Sequence, residues 1–159
     1  MTRPVLILAS LAALACNPDG SSTDIPAGPG IEEILVESDP AARLYLTDAG
    51  VVDDDGDGGW SAGEGAALTV TLHEGWGEDY MNYPGVAVSA SPDVIAWGLE
   101  ENWFYGIFGY ESYEMTFDGI LDEDVAPDTM VEITVAVTSL GCPGDCPDPN
   151  PLVFTILSE

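Results

Sequence analysis

The sequence predicts an all-β fold, an antiparallel β-sandwich of about seven or eight strands. Short segments in which apolar and polar residues alternate recur along the chain, which is the pattern of half-buried strands. Turn clusters rich in Pro, Gly, Asp and Ser separate these segments, and the chain has no long amphipathic helix. Apolar residues make up 46% of the chain, so about 130 ordered residues can bury one core.

The clearest strand covers residues 67–72, where Leu68, Val70 and Leu72 alternate with threonine or alanine. Residues 130–137 alternate in the same way, which places their branched apolar side chains on one face. The remaining strand candidates are residues 34–36, 43–52, 86–90, 113–120 and 152–157. Turns are predicted at residues 91–93, 126–128 and 142–151, and a short helical turn at residues 40–44.

The first fifteen residues have the features of a secretory signal peptide. Arg3 precedes an apolar run that ends in a small residue before Cys16. This run is too short for a membrane-spanning helix of about 20 residues. The segment Ala13-Leu14-Ala15-Cys16 resembles the lipobox of bacterial lipoproteins, which implies that Cys16 is lipidated and becomes the mature N-terminus. The alternative is an ordinary signal peptide followed by an incidental cysteine.

The lipobox resemblance implies an exported protein that is attached to a membrane through its N-terminal lipid. Asn17 follows the cysteine, where lipoproteins retained at the inner membrane of enteric bacteria carry Asp, and this favours the outer membrane or cell surface. Residues 16–30, rich in Pro, Gly and Ser, are expected to form a flexible tether. The sandwich domain is expected to cover residues 31–159.

The two remaining cysteines, Cys142 and Cys146, are expected to form a disulfide, because export favours a disulfide over a zinc site. A zinc site would need two further soft ligands, and the chain offers only His73. A disulfide across so short a loop would mainly stiffen one turn.

Charge excludes one class of partner. The chain carries 29 acidic residues against two cations, Arg3 and Arg43, for a net charge of −27. Nucleic-acid binding is therefore not expected, because phosphate contacts need Lys and Arg. A surface of this charge repels its own copies and attracts divalent cations.

Residues 53–64, here called the acidic loop, carry the strongest functional signal. Counted from Asp53, carboxylates occupy positions 1, 3 and 5, glycine position 6 and glutamate position 12, which is the ligand spacing of an EF-hand loop. The pattern predicts a Ca²⁺ site between strands, not between the helices of an EF-hand. The expected ligands are the side chains of Asp53, Asp55, Asp57, Ser61 and Glu64 and the backbone carbonyl of Gly59. The alternative is a solvated acidic turn in a chain that is acidic throughout.

The order of motifs also resembles a known family. Gly63-Glu64 closes the acidic loop, the strand 68–72 follows, and Val86 to Asp93 reads VAVSASPD. This order is similar to that of the immunoglobulin-like repeats of large secreted bacterial proteins, over roughly residues 45–157. The resemblance implies an immunoglobulin-like β-sandwich, often calcium-binding, that serves as a spacer or contact module.

Aromatic residues crowd the stretch 97–113, which is the second functional signal. Exposed rings there would stack on a glycan or contact a protein partner, and the candidate binding residues are Trp97, Trp103 and Tyr105. The alternative is that these rings fill the core of the sandwich.

No catalytic function is expected. The chain lacks the nucleophile elbow, the phosphate-binding loop and the zinc-protease motif, and its lone His73 lies within a predicted strand. The sequence therefore predicts a surface-tethered, calcium-binding β-sandwich lipoprotein with a structural or adhesive role. The alternative function is that of a carbohydrate- or protein-binding lipoprotein that uses the stretch 97–113.

Overall fold

The computed structural model describes residues 34, 36, 41–56, 59–139 and 149–159. These residues form eight strands in two antiparallel four-stranded sheets, which confirms the predicted all-β fold and strand number. The strands are β1 Leu44–Asp53, β2 Gly65–Glu74, β3 Pro84–Ser91, β4 Ile95–Trp97, β5 Glu101–Trp103, β6 Ser112–Leu121, β7 Met130–Ser139 and β8 Leu152–Leu157.

The strand order is that of an immunoglobulin-like sandwich. One sheet has the order β1-β2-β6-β4 and the other the order β5-β3-β7-β8. If β5 is set aside, the first sheet contains the first, second, fifth and fourth strands and the second sheet the third, sixth and seventh. This is the arrangement of the seven-stranded immunoglobulin fold. The short strand β5 extends the second sheet beyond β3.

Alternation along the long strands builds the core. Leu68, Val70 and Leu72 of β2 are fully buried, and Val131 and Ile133 of β7 meet them from the other sheet in a single apolar cluster. Because side chains alternate across a strand, the residues between them face outward. Burial of each such side chain contributes about 1.5–3 kcal/mol to the free energy of folding.

Two short strands were not predicted from the sequence. β4 and β5 contain three residues each and lie on either side of Gly98, outside the predicted strands. Three residues are too few to display an alternation, so only pairing with β6 and β3 reveals them as strands. Residues 41–43 form a turn and bends that lead into β1, and not the helical turn that was expected.

Several predictions concern residues outside the described part of the chain. These are the signal peptide 1–15, the lipidation site Cys16, the tether 16–30, the calcium ligand Asp57 and the disulfide between Cys142 and Cys146. Within the described ranges, no helix is long and apolar enough to cross a membrane.

The strand register gives the sandwich two distinct ends. β1 and β2 pair from Leu44 opposite Glu74 to Asp53 opposite Ala66. The acidic loop closes this hairpin at the Asp53 end. Residues 75–83 and 104–111 extend from the opposite end, here called the aromatic end, where Tyr80 and Ile107 form a bridge. At about 3.3 Å per residue, the ten-residue strand β1 separates the two ends by about 30 Å.

Candidate metal centre and the aromatic end

The acidic loop connects two paired strands, as the sequence predicted. β1 ends at Asp53, β2 begins at Gly65, and the Asp54 N–H donates to the Gly65 carbonyl oxygen at 3.0 Å. Gly56 and Gly63 adopt φ of 75° and 81°, a left-handed backbone that glycine accepts without strain. The flanking elements are therefore strands, and only the ligand spacing resembles an EF-hand.

Three of the predicted ligands meet in space. Asp53, Asp55 and Glu64 each offer a carboxylate oxygen, and these oxygens all lie within 4.8 Å of one another. Oxygens that share one Ca²⁺ at 2.3–2.6 Å lie at most about 5 Å apart, so one ion can bind all three. Asp53 is buried, Glu64 is half-buried and Asp55 is exposed.

Glu64 closes the loop on itself. Its Oε2 accepts a hydrogen bond from the Ser61 N–H at 2.8 Å, and its Oε1 accepts a long one from the Asp55 N–H at 3.4 Å. A carboxylate oxygen has two lone pairs, so each can accept such a bond and still bind a cation. The backbone therefore orients the carboxylate without using its capacity as a ligand.

Trp60 holds the loop against the core. Its side chain is fully buried, and its indole Nε1 donates to the Glu64 carbonyl oxygen at 2.8 Å. EF-hand loops usually carry an aliphatic residue at this eighth position. Trp60 makes apolar contacts there as an aliphatic residue would, and it adds a hydrogen bond. Glu64 lies directly before the first residue of β2, so this hydrogen bond ties the start of β2 to the buried tryptophan.

The other predicted ligands are placed as follows. Gly59 is buried, and the side-chain carboxyl group of Glu159 occupies the space that a Cβ would fill there. Ser61 is half-buried and contributes the N–H that binds Glu64. Glu159, which follows β8, is a further carboxylate next to the loop, and its N–H donates to the Trp60 carbonyl oxygen at 3.3 Å. No sequence pattern indicates this contact, because the two residues are far apart along the chain.

The acidic residues that follow β6 lie beside the loop. The Gly63 N–H donates to the Leu121 carbonyl oxygen at 2.9 Å, and a Cβ at Gly63 would lie 3.3 Å from the Glu123 side chain. Asp122 Oδ1 accepts the Asp124 N–H at 3.1 Å and so closes a local turn. Neither Asp122 nor Glu123 belongs to the cluster of three.

The electrostatic environment of the cluster is uniformly acidic. Arg43 is the only Lys or Arg within the described ranges, and it lies at the aromatic end, about 30 Å away. Two carboxylates about 5 Å apart repel by about 1 kcal/mol in bulk water and by several times that where water is partly excluded. A bound cation would convert this repulsion into attraction.

Arg43 is paired with a buried acid. Its Nε donates to Glu74 Oε1 at 3.0 Å, and the Glu74 side chain is fully buried. Glu74 Oε2 also accepts backbone N–H groups from Gly77 at 2.7 Å and Tyr110 at 3.2 Å. Burial by itself would raise the pKa of Glu74, but these hydrogen bonds outweigh it and hold the pKa below its ordinary value.

The predicted aromatic binding residues separate into two places. Trp97 is half-buried on β4, packs edge-on against Trp60 at 6.3 Å between ring centroids, and its Nε1 has no hydrogen-bond partner in the described part of the chain. Trp103 and Tyr105 are exposed at the aromatic end, each perpendicular to the ring of Tyr83. The structure therefore brings Tyr83 into this group and leaves Trp97 out of it.

The backbone at the aromatic end is strained. Tyr83 and Tyr110 have φ of 50° and 62°, two of the three positive values at non-glycine residues in the described ranges. For a bulky residue this left-handed conformation costs roughly 1–2 kcal/mol.

His73, the lone histidine, lies nearby on β2, where Nδ1 hydrogen-bonds Ser112 Oγ at 2.8 Å.

Comparison of the chain with protein-family models and with curated proteins found no match.

Proposed function

We propose that this chain is a calcium-binding β-sandwich module, exported and held at the outer membrane or cell surface by a lipid on Cys16, with a structural or adhesive and non-catalytic role. The observation that supports it most directly is the convergence of Asp53, Asp55 and Glu64 at the end of the β1–β2 hairpin. These residues are the first, third and twelfth of the loop, the positions that the ligand spacing of a calcium loop requires.

Calcium would complete the hairpin. The three clustered carboxylates supply oxygen ligands, Asp57 and Ser61 add side-chain oxygens, and the Gly59 carbonyl adds one from the backbone. An all-oxygen donor set of this size suits Ca²⁺ better than Zn²⁺, which prefers nitrogen and sulfur. The ion would tie the end of β1 to the start of β2, and its charge would offset carboxylate repulsion in a chain of net charge −27.

The ion would have a structural role at the acidic loop and would take no part in a chemical reaction. A module of this kind is more stable when external calcium is high and less stable when it is removed, because calcium would bind the folded state and not the unfolded one. This behaviour fits a spacer or adhesive domain, as the immunoglobulin-like resemblance also implies.

The test is thermal unfolding of the full chain in excess EDTA, in millimolar Ca²⁺ and in millimolar Mg²⁺ at equal ionic strength. At about 100 times its dissociation constant, Ca²⁺ adds about 2.7 kcal/mol to the free energy of unfolding. For a domain of this size this raises the midpoint by on the order of 10 °C. Equal midpoints in all three buffers, or equal shifts with both ions, would contradict the proposal and leave the loop as solvated acidic surface.

A further inference from the structure

Exposed aromatic side chains are concentrated at one end of the sandwich. In the described part of the chain, every largely exposed Trp, Tyr or Phe lies between residues 76 and 110: Trp76, Tyr83, Trp103, Tyr105, Phe108 and Tyr110. The exposed Val52, Met130 and Val153 lie on three other strands, β1, β7 and β8. A contiguous exposed apolar patch is the feature of monomeric proteins that marks an interaction site.

Three of these rings form one cluster. Tyr83 lies 5.7 Å from Trp103 and 5.5 Å from Tyr105 between ring centroids, with interplanar angles of 84° and 85°. The three side chains are 39%, 47% and 67% exposed, so ring surface remains open to a partner. The clustered rings are held by strand pairing, because Trp103 pairs with Gly85 and the Phe104 N–H donates to the Pro84 carbonyl oxygen at 3.0 Å.

The same end of the molecule already binds a cation on aromatic rings. The guanidinium carbon of Arg43 lies 5.8 Å from the ring centroid of Trp76 and 5.1 Å from that of Tyr80. Ring faces attract cations through their quadrupole, and arginine also stacks through its planar group. The ring cluster has no such internal cation, since Arg43 is the only Lys or Arg that the structure describes.

The charge around the ring cluster selects the sign of its partner. Glu101 is exposed and stands two residues before Trp103 on β5, so both side chains lie on the same face of that edge strand. With 29 acidic residues and no lysine, the protein repels acidic partners and attracts basic ones over long range. Rings beside a carboxylate offer arginine both a stacking surface and a hydrogen-bond acceptor.

We propose that the cluster of Tyr83, Trp103 and Tyr105 is the docking site for an arginine side chain on a basic protein partner. Tyr and Trp are the residues that most often dominate protein interfaces, and arginine is their common counterpart. This interaction surface lies at the opposite end from the acidic loop and is independent of calcium. A partner can therefore bind at one end while the other end holds the ion.

The experiment compares amidated tetra-arginine and tetra-lysine peptides, which carry equal charge, in titrations of the full chain followed by calorimetry in EDTA. General attraction to the acidic surface affects both peptides alike. We expect tetra-arginine to bind about twofold to fivefold more tightly overall, because a guanidinium group is less strongly hydrated than an ammonium group and can stack on a ring while it bonds a carboxylate. This preference should disappear in the double variant Trp103→Thr/Tyr105→Ser and persist in Phe108→Ser, which removes an exposed ring outside the cluster.

Other outcomes would overturn the proposal. Equal affinity for the two peptides, or an arginine preference that survives in the double variant, would show that the cluster does not select arginine. If Phe108→Ser lost the preference and the double variant kept it, the arginine site would lie elsewhere at the aromatic end. A neutral oligosaccharide that binds the wild type but not the double variant, with no arginine preference, would make the cluster a glycan site. Circular dichroism of each variant checks that the fold is kept.

Discussion

Arg43 and Glu74 join the beginning of β1 to the end of β2 through a hydrogen-bonded ion pair, with Nε of the arginine 3.0 Å from Oε1 of the glutamate. The same arginine donates through Nη2 to the carbonyl oxygens of Glu78 at 2.8 Å and Asp79 at 3.2 Å. The sole Lys or Arg of the described ranges is thus used at the aromatic end, and the acidic loop at the other end has none near it.

Replacement of Glu74 should destabilise the protein strongly. Glu74→Ala removes a fully buried carboxylate and leaves the Arg43 Nε–H and two backbone N–H groups without their acceptor. Removal of one partner from a buried ion pair typically lowers the free energy of unfolding by about 3–5 kcal/mol. Urea unfolding at pH 7 measures the loss. Glu78→Ala is the matched control, since this exposed acid lies 4.0 Å from Arg43 Nη2 and should change little. Equal effects of the two variants would contradict the role of the buried pair.

The contribution of Glu74 should depend on pH. Its pKa is lowered in the folded state, so its ionised form stabilises the fold at pH values above the unfolded pKa of about 4.3. This stabilisation is lost as the pH falls through the folded pKa. The difference in unfolding free energy between the wild type and Glu74→Gln should therefore be constant from pH 7 to 5 and shrink below about pH 4. A difference that grows with acidity would contradict the lowered pKa.

Strand periodicity made most of the fold predictable. The alternation in residues 67–72 and 130–137 predicted β2 and β7, and the structure extends each to ten residues. β6 and β8 were also found close to their predicted bounds. The short β4 and β5 were missed because their strand character arises from pairing with distant segments and not from local pattern.

The candidate site was predictable only where its residues are close in sequence. The ligand spacing within the acidic loop predicted Asp53, Asp55 and Glu64, and the structure places these three residues together. Glu159 and the Arg43–Glu74 pair gave no sequence signal, because each meets its partner through long-range strand packing. The sequence suggests one group for Trp97 and Trp103 because both lie in one aromatic stretch, but they lie on β4 and β5, which belong to different sheets.

A glycine at the aromatic end should resist substitution. A Cβ at Gly109 would overlap backbone atoms of Gly77 and Glu78, which cannot move as a flexible side chain can. Overpacking of this kind costs about 1–3 kcal/mol, so Gly109→Ala should lower the thermal midpoint by several degrees. Gly98→Ala is the control, because its Cβ would meet only the Asp118 carbonyl oxygen at 3.5 Å. Equal tolerance of both substitutions would contradict the close contact between Gly109 and the backbone of Gly77 and Glu78.

The two packed tryptophans should differ in their sensitivity to phenylalanine. Trp60→Phe removes the hydrogen bond to the Glu64 carbonyl oxygen and part of a fully buried side chain, and should cost about 1–3 kcal/mol. Trp97→Phe removes a buried Nε1 that has no partner in the described structure, so its cost should be smaller. Urea unfolding ranks the two. A larger loss for Trp97 would indicate that its indole nitrogen has a structural role.

Calcium stabilisation should depend on which aspartate of the loop is altered. Asp55→Asn removes the charge of a carboxylate within the cluster, whereas Asp54→Asn removes an equal charge from a neighbour outside it. If Ca²⁺ stabilises the protein only by screening its overall negative charge, both variants should lose the same small part of the calcium-induced rise in thermal midpoint. If the ion is bound by Asp53, Asp55 and Glu64, Asp55→Asn should lose most of the rise and Asp54→Asn should keep it. The unfolding midpoints in EDTA separate this effect from stability, since relief of repulsion should leave both variants at least as stable as the wild type without calcium.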